Sequence, residues 1–189
     1  MSHLSDAAEA MAAVARTITD DQLADKTPCS EYDVRALVNH LLFWGPSLAG
    51  AGRKERVPQP AATESDVDLA AGDWRGRLLV LLDDITSSWA PSSAWEGETS
   101  MGTPHMLPAP VMGDMITGEL AVHGWDLAVA TGQRLELPVG LLAHLHDTVL
   151  AGVEQGRAMG MYGPEVAVPA DAPTLDRIIG LTGRDPAWT

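Results

Sequence analysis

Residues 118–128 read GELAVHGWDLA, and the fold turns on how this stretch is read. In an α-helix, Glu119 and His123 lie one turn apart on the same side. On a wheel of 100° per residue, Met112, Met115, Ile116, Glu119, His123, Asp126, Leu127 and Ala130 fall on one arc, and the opposite arc is mostly Gly, Ala and Thr with Trp125. A carboxylate and an imidazole therefore share the apolar side, where an unpaired charge is expensive. A divalent metal would compensate both, because neutral imidazole nitrogen and carboxylate oxygen are suitable ligands and this spacing presents them to one ion at about 2.0–2.2 Å. The plainer arrangement, in which Glu119 and His123 bond each other or backbone groups in a polar patch of the core, is the commoner one for such a spacing alone. A third ligand is needed to reverse that balance. His40, on the flank of an apolar stripe in an earlier helix, is the best candidate, although a lone histidine there is more often a satisfied core residue.

Outward from this helix, the chain is patterned for helices nearly throughout. Leu4, Ala8, Met11, Ala15 and Ile18 recur at helical intervals. Thr19 to Gln22 reads as a capping box for one short turn before Pro28. Ser30-Glu31-Tyr32-Asp33 opens a second helix whose Val34, Leu37, Val38, Leu41 and Trp44 form one stripe, predicted to end around Gly45-Pro46. Residues 50–66 form a long polar connection. Trp74, Leu78, Leu81, Leu82, Ile85 and Trp89 mark a third helix that Pro91 stops. Residues 92–110 are a loop with room for one short hairpin, and the fourth helix runs from near Pro110 to Gly132. A fifth begins after Pro138 and carries Leu141, Leu142, Leu145, Val149 and Val153 on one side. An extended stretch, a short helix over about Thr174 to Leu181 and a Trp188 expected to dock on the core complete the chain. This is the pattern of an all-α protein, one bundle domain over residues 1–189 with one or two long connections, in which facing helices build the site.

Composition narrows the function. The 189 residues include 12 Lys and Arg and carry a net charge of −14, which argues against nucleic acid and against an anionic membrane surface. No apolar run approaches the roughly 18 residues of a membrane span, and no signal peptide is recognised, so a cytoplasmic location is expected. The single cysteine, Cys29, excludes an internal disulfide. It precedes a helix start, where the helix dipole can lower a thiol pKa, but a small half-buried turn residue is the plainer reading. Asp126 is placed either to orient a ligating imidazole or to pair with Arg134. Trp44 and Trp125 read as packing residues, and His3, His105, His144 and His146 as structural or surface residues.

Three blocks also resemble a known family: TPCSEYDVRALVNHLL (27–42), GELAVHGWDLAVATGQ (118–133) and GPEVAVPADAPTLDRIIGLTGRDPAW (163–188). They are similar to the actinobacterial metal-binding branch of the DinB superfamily, whose relatives include the N-terminal domain of mycothiol-dependent maleylpyruvate isomerase. The resemblance implies a DinB-like four-helix bundle with long crossover connections and extra C-terminal helices. It also implies one divalent metal, most often zinc with nickel, iron or manganese as alternatives, held by a histidine of the second helix and a Glu-x-x-x-His pair of a later one. Carried over, those ligands are His40, Glu119 and His123. The implied activity is a transfer of sulfur from a small thiol such as mycothiol or bacillithiol to an electrophilic metabolite or xenobiotic. A hydrolase, isomerase or biosynthetic tailoring enzyme on the same site, or a metal-supported binding protein without turnover, are the alternatives. A second domain of the isomerase type is not recognised after the bundle. The partners expected are a small-molecule substrate and the thiol, on a monomer or homodimer. At the metal's open side, Met112, Met115 and Trp44 are expected to line a pocket.

Overall fold

Short-range capping sets where the first three helices begin. In the computed structural model, which describes residues 2–189, the Ser2 side chain accepts from the Ser5 amide to start α1 (His3–Ala15). A 3-10 turn at Asp20–Ala24 follows, with Gln22 Oε1 accepting from the Thr19 amide at 2.9 Å. Asp33 then caps α2 (Val34–Arg53) through the Ala36 amide at 2.7 Å. Asp73 caps α3 (Trp74–Trp89) in the same way, through Gly76.

The second helix does not stop at Gly45-Pro46 but continues to Arg53. Proline removes one helical hydrogen bond, and the loss is outweighed by burial of Leu48, Ala49 and Ala51 beyond it. Glycines let this half of α2 lie close against α3. A Cβ on Gly45 would stand 2.2 Å from the Leu81 side chain, and one on Gly52 would stand 2.8 Å from the Ser88 carbonyl oxygen. The following connection contains a 3-10 turn at Glu64–Asp66.

After α3, a 3-10 turn at Ser92–Trp95 leads into one antiparallel hairpin of β1 (Glu98–Thr99) and β2 (Leu107–Pro108). The rest is α4 (Ala109–Ala130), α5 (Val139–Ala158) and α6 (Thr174–Leu181). The bundle is a ring of four helices: α1 packs on α4 and α3, and α2 packs on α3 and α4. The two C-terminal helices are additions, with α5 against α1, α4 and α6.

The fourth helix is buried on nearly all sides, because Leu120, Ala121, Val122, Gly124 and Trp125 are covered as well as the arc of Glu119. The side rich in small residues, which the wheel sets opposite the site, lies against α1, where Gly124 faces Met11. Trp188 is half-buried but stands outside the core cluster, to which α6 contributes Ile178 and Ile179 instead. Asp185 turns the chain away first, its carbonyl accepting from the Trp188 amide at 3.0 Å. No helix among the described residues is long and apolar enough to cross a membrane.

Candidate metal centre

Adjacent helices α2 and α4 bring the three expected residues together. His40 Nε2 lies 2.9 Å from Glu119 Oε1, and His123 Nε2 lies 3.5 Å from the same oxygen. The two imidazole rings stand 5.3 Å apart at 68°. One donor atom from each residue falls within 4.8 Å of the other two, a spacing that could hold a divalent ion. The rest of the chemistry fits such an ion, because both rings are anchored through their other nitrogen.

For His123 the anchor is Asp126, whose Oδ2 lies 2.9 Å from Nδ1. Asp126 is fully buried and does not pair with Arg134, which is exposed; it accepts two-pronged hydrogen bonds from Arg184, with Nε at 2.8 Å from Oδ1 and Nη2 at 2.9 Å from Oδ2. For His40 the anchors are Glu64, 3.1 Å from Nδ1, and the Tyr32 hydroxyl, also at 3.1 Å. Trp44 is part of this support rather than simple packing, because its indole N–H donates to Glu64 at 2.6 Å. Trp125 is a packing residue, 6% exposed.

Glu64, Tyr32 and Arg184 escape a reading by helical period. Glu64 sits in the polar connection, where nothing marks one carboxylate from its neighbours. Arg184 sits in the C-terminal segment 58 residues from its partner.

Charge is concentrated on the shared carboxylate. Burial pushes the Glu119 carboxyl up, but the charge of His123, the hydrogen bond and charge of His40, and the charge of Arg184 outweigh it and hold the group at about 2. Burial pulls the His40 pKa down, and the hydrogen bonds and charges of Glu119 and Glu64 more than reverse this, leaving it raised.

The Cys29 thiol pKa is raised rather than lowered. Burial raises its thiol pKa, and the nearby Arg184 charge offsets this only in part. Its sulfur lies near His123 and Asp126, and both Asp126 oxygens are already engaged by Arg184 and His123. The remaining histidines stay out of the site. His144 bonds Asp114 at 2.8 Å and stacks on His3, His146 lies 3.7 Å from Asp147, and His105 is exposed.

Of the three residues expected around a pocket, Met115 lines the cavity between α4 and α5. Met112 is buried in the core because its side of α4 faces the bundle, and Trp44 is turned to Glu64. The cavity holding Met115 has a volume of about 380 Å³ and opens between α4 and α5. A wider polar cleft of about 500 Å³ lies at the far end of α2 around Arg53 and Lys54, away from the histidines.

Comparison with known proteins agrees with this architecture. The family model described as mycothiol maleylpyruvate isomerase N-terminal domain matches residues 4–128. Two uncharacterised proteins of Mycobacterium tuberculosis are each 27% identical over 180 residues, covering 94% of this chain and 93% of theirs. A crystal structure of mycothiol-dependent maleylpyruvate isomerase superposes with a TM-score of 0.64 at 14% identity, covering 98% of this chain and 89% of that one. A mutant of that isomerase gives 0.59 at 15% identity over 82% of this chain and 71% of that one. At these identities the structures establish the likeness in fold.

Proposed function

The chain belongs to the mycothiol maleylpyruvate isomerase N-terminal domain family, and on that premise we propose that it is a divalent-metal enzyme that joins a low-molecular-weight thiol of the mycothiol type to a small electrophile. The observation that carries this reading is the convergence of His40 Nε2, Glu119 Oε1 and His123 Nε2, with each ring anchored from behind. His40, Glu119 and His123 would hold the ion, with zinc the first choice for a two-histidine, one-carboxylate set. Such an ion supplies the Lewis acidity that lowers a thiol pKa and makes thiolate available near neutral pH.

The chain's own groups do the rest. Glu119 stays ionised and keeps a hard oxygen ligand available throughout the neutral range. Asp126, pinned by Arg184, holds the His123 ring in one orientation, and Glu64 does the same for His40. The mycothiol dependence of the structurally similar isomerase supports thiol chemistry here.

The test is elemental analysis followed by thiol consumption. Protein purified without chelator should carry about one divalent ion per chain, and His123→Ala should lose most of it. Loaded protein should then consume mycothiol with monochlorobimane. Wild-type protein that no divalent ion can load overturns the site, while turnover that needs water and no thiol moves the reading to a hydrolase.

A further inference from the structure

The cavity between α4 and α5 has a chemistry of its own. Its walls include Val111, Met115, Val149, Met159, Met161 and Tyr162. Methionines at a rim form an adaptable apolar surface, and here Met159 and Met161 are 60% and 42% exposed at the mouth. The lining contains no lysine or arginine, and its one carboxylate is Asp114.

The cavity wall stops short of His40, Glu119 and His123, and α4 links the two. Met115 lies one helical turn before Glu119 on the same side of α4, and Gly118 also lines the wall. Tyr162 stands at the boundary, its hydroxyl 3.9 Å from where a Cβ on Gly118 would sit. The ring is seated on α5 by Gly156, where a Cβ would come within 2.4 Å of it. Burial and the Glu119 charge raise the phenol pKa, so the group is a hydrogen-bond donor across the neutral range.

From this arrangement we infer that the cavity binds the electrophile, and that it selects an uncharged molecule with an apolar body and one carbonyl or epoxide oxygen, which the Tyr162 hydroxyl meets beside Glu119. A dicarboxylate is disfavoured. It would find no lysine or arginine in the lining, only the exposed His105 at its edge; it would meet Asp114, which His144 already holds at 2.8 Å, and it would approach a chain of net charge −14. The inference rests on the metal-and-thiol reading for the reacting end, but the binding step can be tested without either.

The experiment uses metal-free protein and no thiol, with acetophenone, ethylbenzene and disodium maleate as probes and methionine methyl resonances as the readout. Acetophenone should shift Met115, Met159 and Met161 saturably and leave core Met11 and Met112 in place, and maleate should shift none. Gly152, whose Cβ position is open space on the cavity wall, provides a block that fits without clash. Gly152→Leu should weaken acetophenone at least about tenfold. Tyr162→Phe should weaken acetophenone by roughly two- to tenfold, the range of one net hydrogen bond, and leave ethylbenzene unchanged. Unmoved methionines with acetophenone, or maleate binding as tightly as the ketone, overturn the substrate class. Equal ketone affinity in Tyr162→Phe removes the tyrosine from it. Because no metal is present, a failure here is separable from a failure of the metal site.

Discussion

Asp126 Oδ2 lies 2.9 Å from His123 Nδ1, and both groups are buried. With Nδ1 engaged, the other ring nitrogen points at Glu119. Asp126→Ala releases the ring and also strands the Arg184 guanidinium, which is 8% exposed. We expect zinc affinity to fall by about 10- to 100-fold and stability by about 3–5 kcal/mol, as for removal of one partner of a buried ion pair. Competition with a chromophoric chelator reads the first effect and urea unfolding the second.

Glu64 should matter to the metal and little to the fold. It accepts from Trp44 and bonds His40, but it is held on a connection rather than in the core. Glu64→Ala is expected to weaken zinc by about 10-fold or more, with the midpoint of unfolding nearly unchanged. An unaltered affinity in the same chelator titration removes Glu64 from the site.

Cys29→Ser should retain both metal and thiol-dependent turnover, since burial raises the Cys29 pKa and the proposed nucleophile comes from a separate thiol. Turnover lost while elemental analysis still finds the metal would transfer the nucleophile's role to Cys29.

Gly52→Ala should destabilise the protein. In an exposed helix this change adds about 1 kcal/mol, but here the new methyl would meet the Ser88 carbonyl carbon and oxygen at 2.9 and 2.8 Å. Backbone cannot swing aside as a flexible side chain does, so we expect a net loss of about 1–3 kcal/mol. The denaturant midpoint measures it, and a midpoint raised above wild type contradicts the close α2–α3 crossing.

Helix starts and the Glu119/His123 pair were legible in the sequence because their causes are local. Asp33 reaches an amide three residues away, and Glu119 and His123 share a face through helix geometry alone. The end of α2 was not legible, since Pro46 is a sound local stop signal and burial against α3 overrides it. Nor was the burial of α4 on nearly all sides, because the cover over its small-residue side comes from α1.

Within the site the same division holds. His40 could be singled out as an imidazole on the edge of an apolar stripe, but its approach to Glu119 joins residues 79 apart. Its anchor Glu64 lies 24 residues away in a segment with no period. Arg184 meets Asp126 across 58 residues, and Tyr162 reaches the α4 wall from beyond α5. Helix periodicity and capping act over three or four residues and are therefore written into short stretches of chain. Which carboxylate anchors a ring, and which phenol borders a cavity, depends on how packed helices set distant segments side by side, and a local pattern carries no record of that.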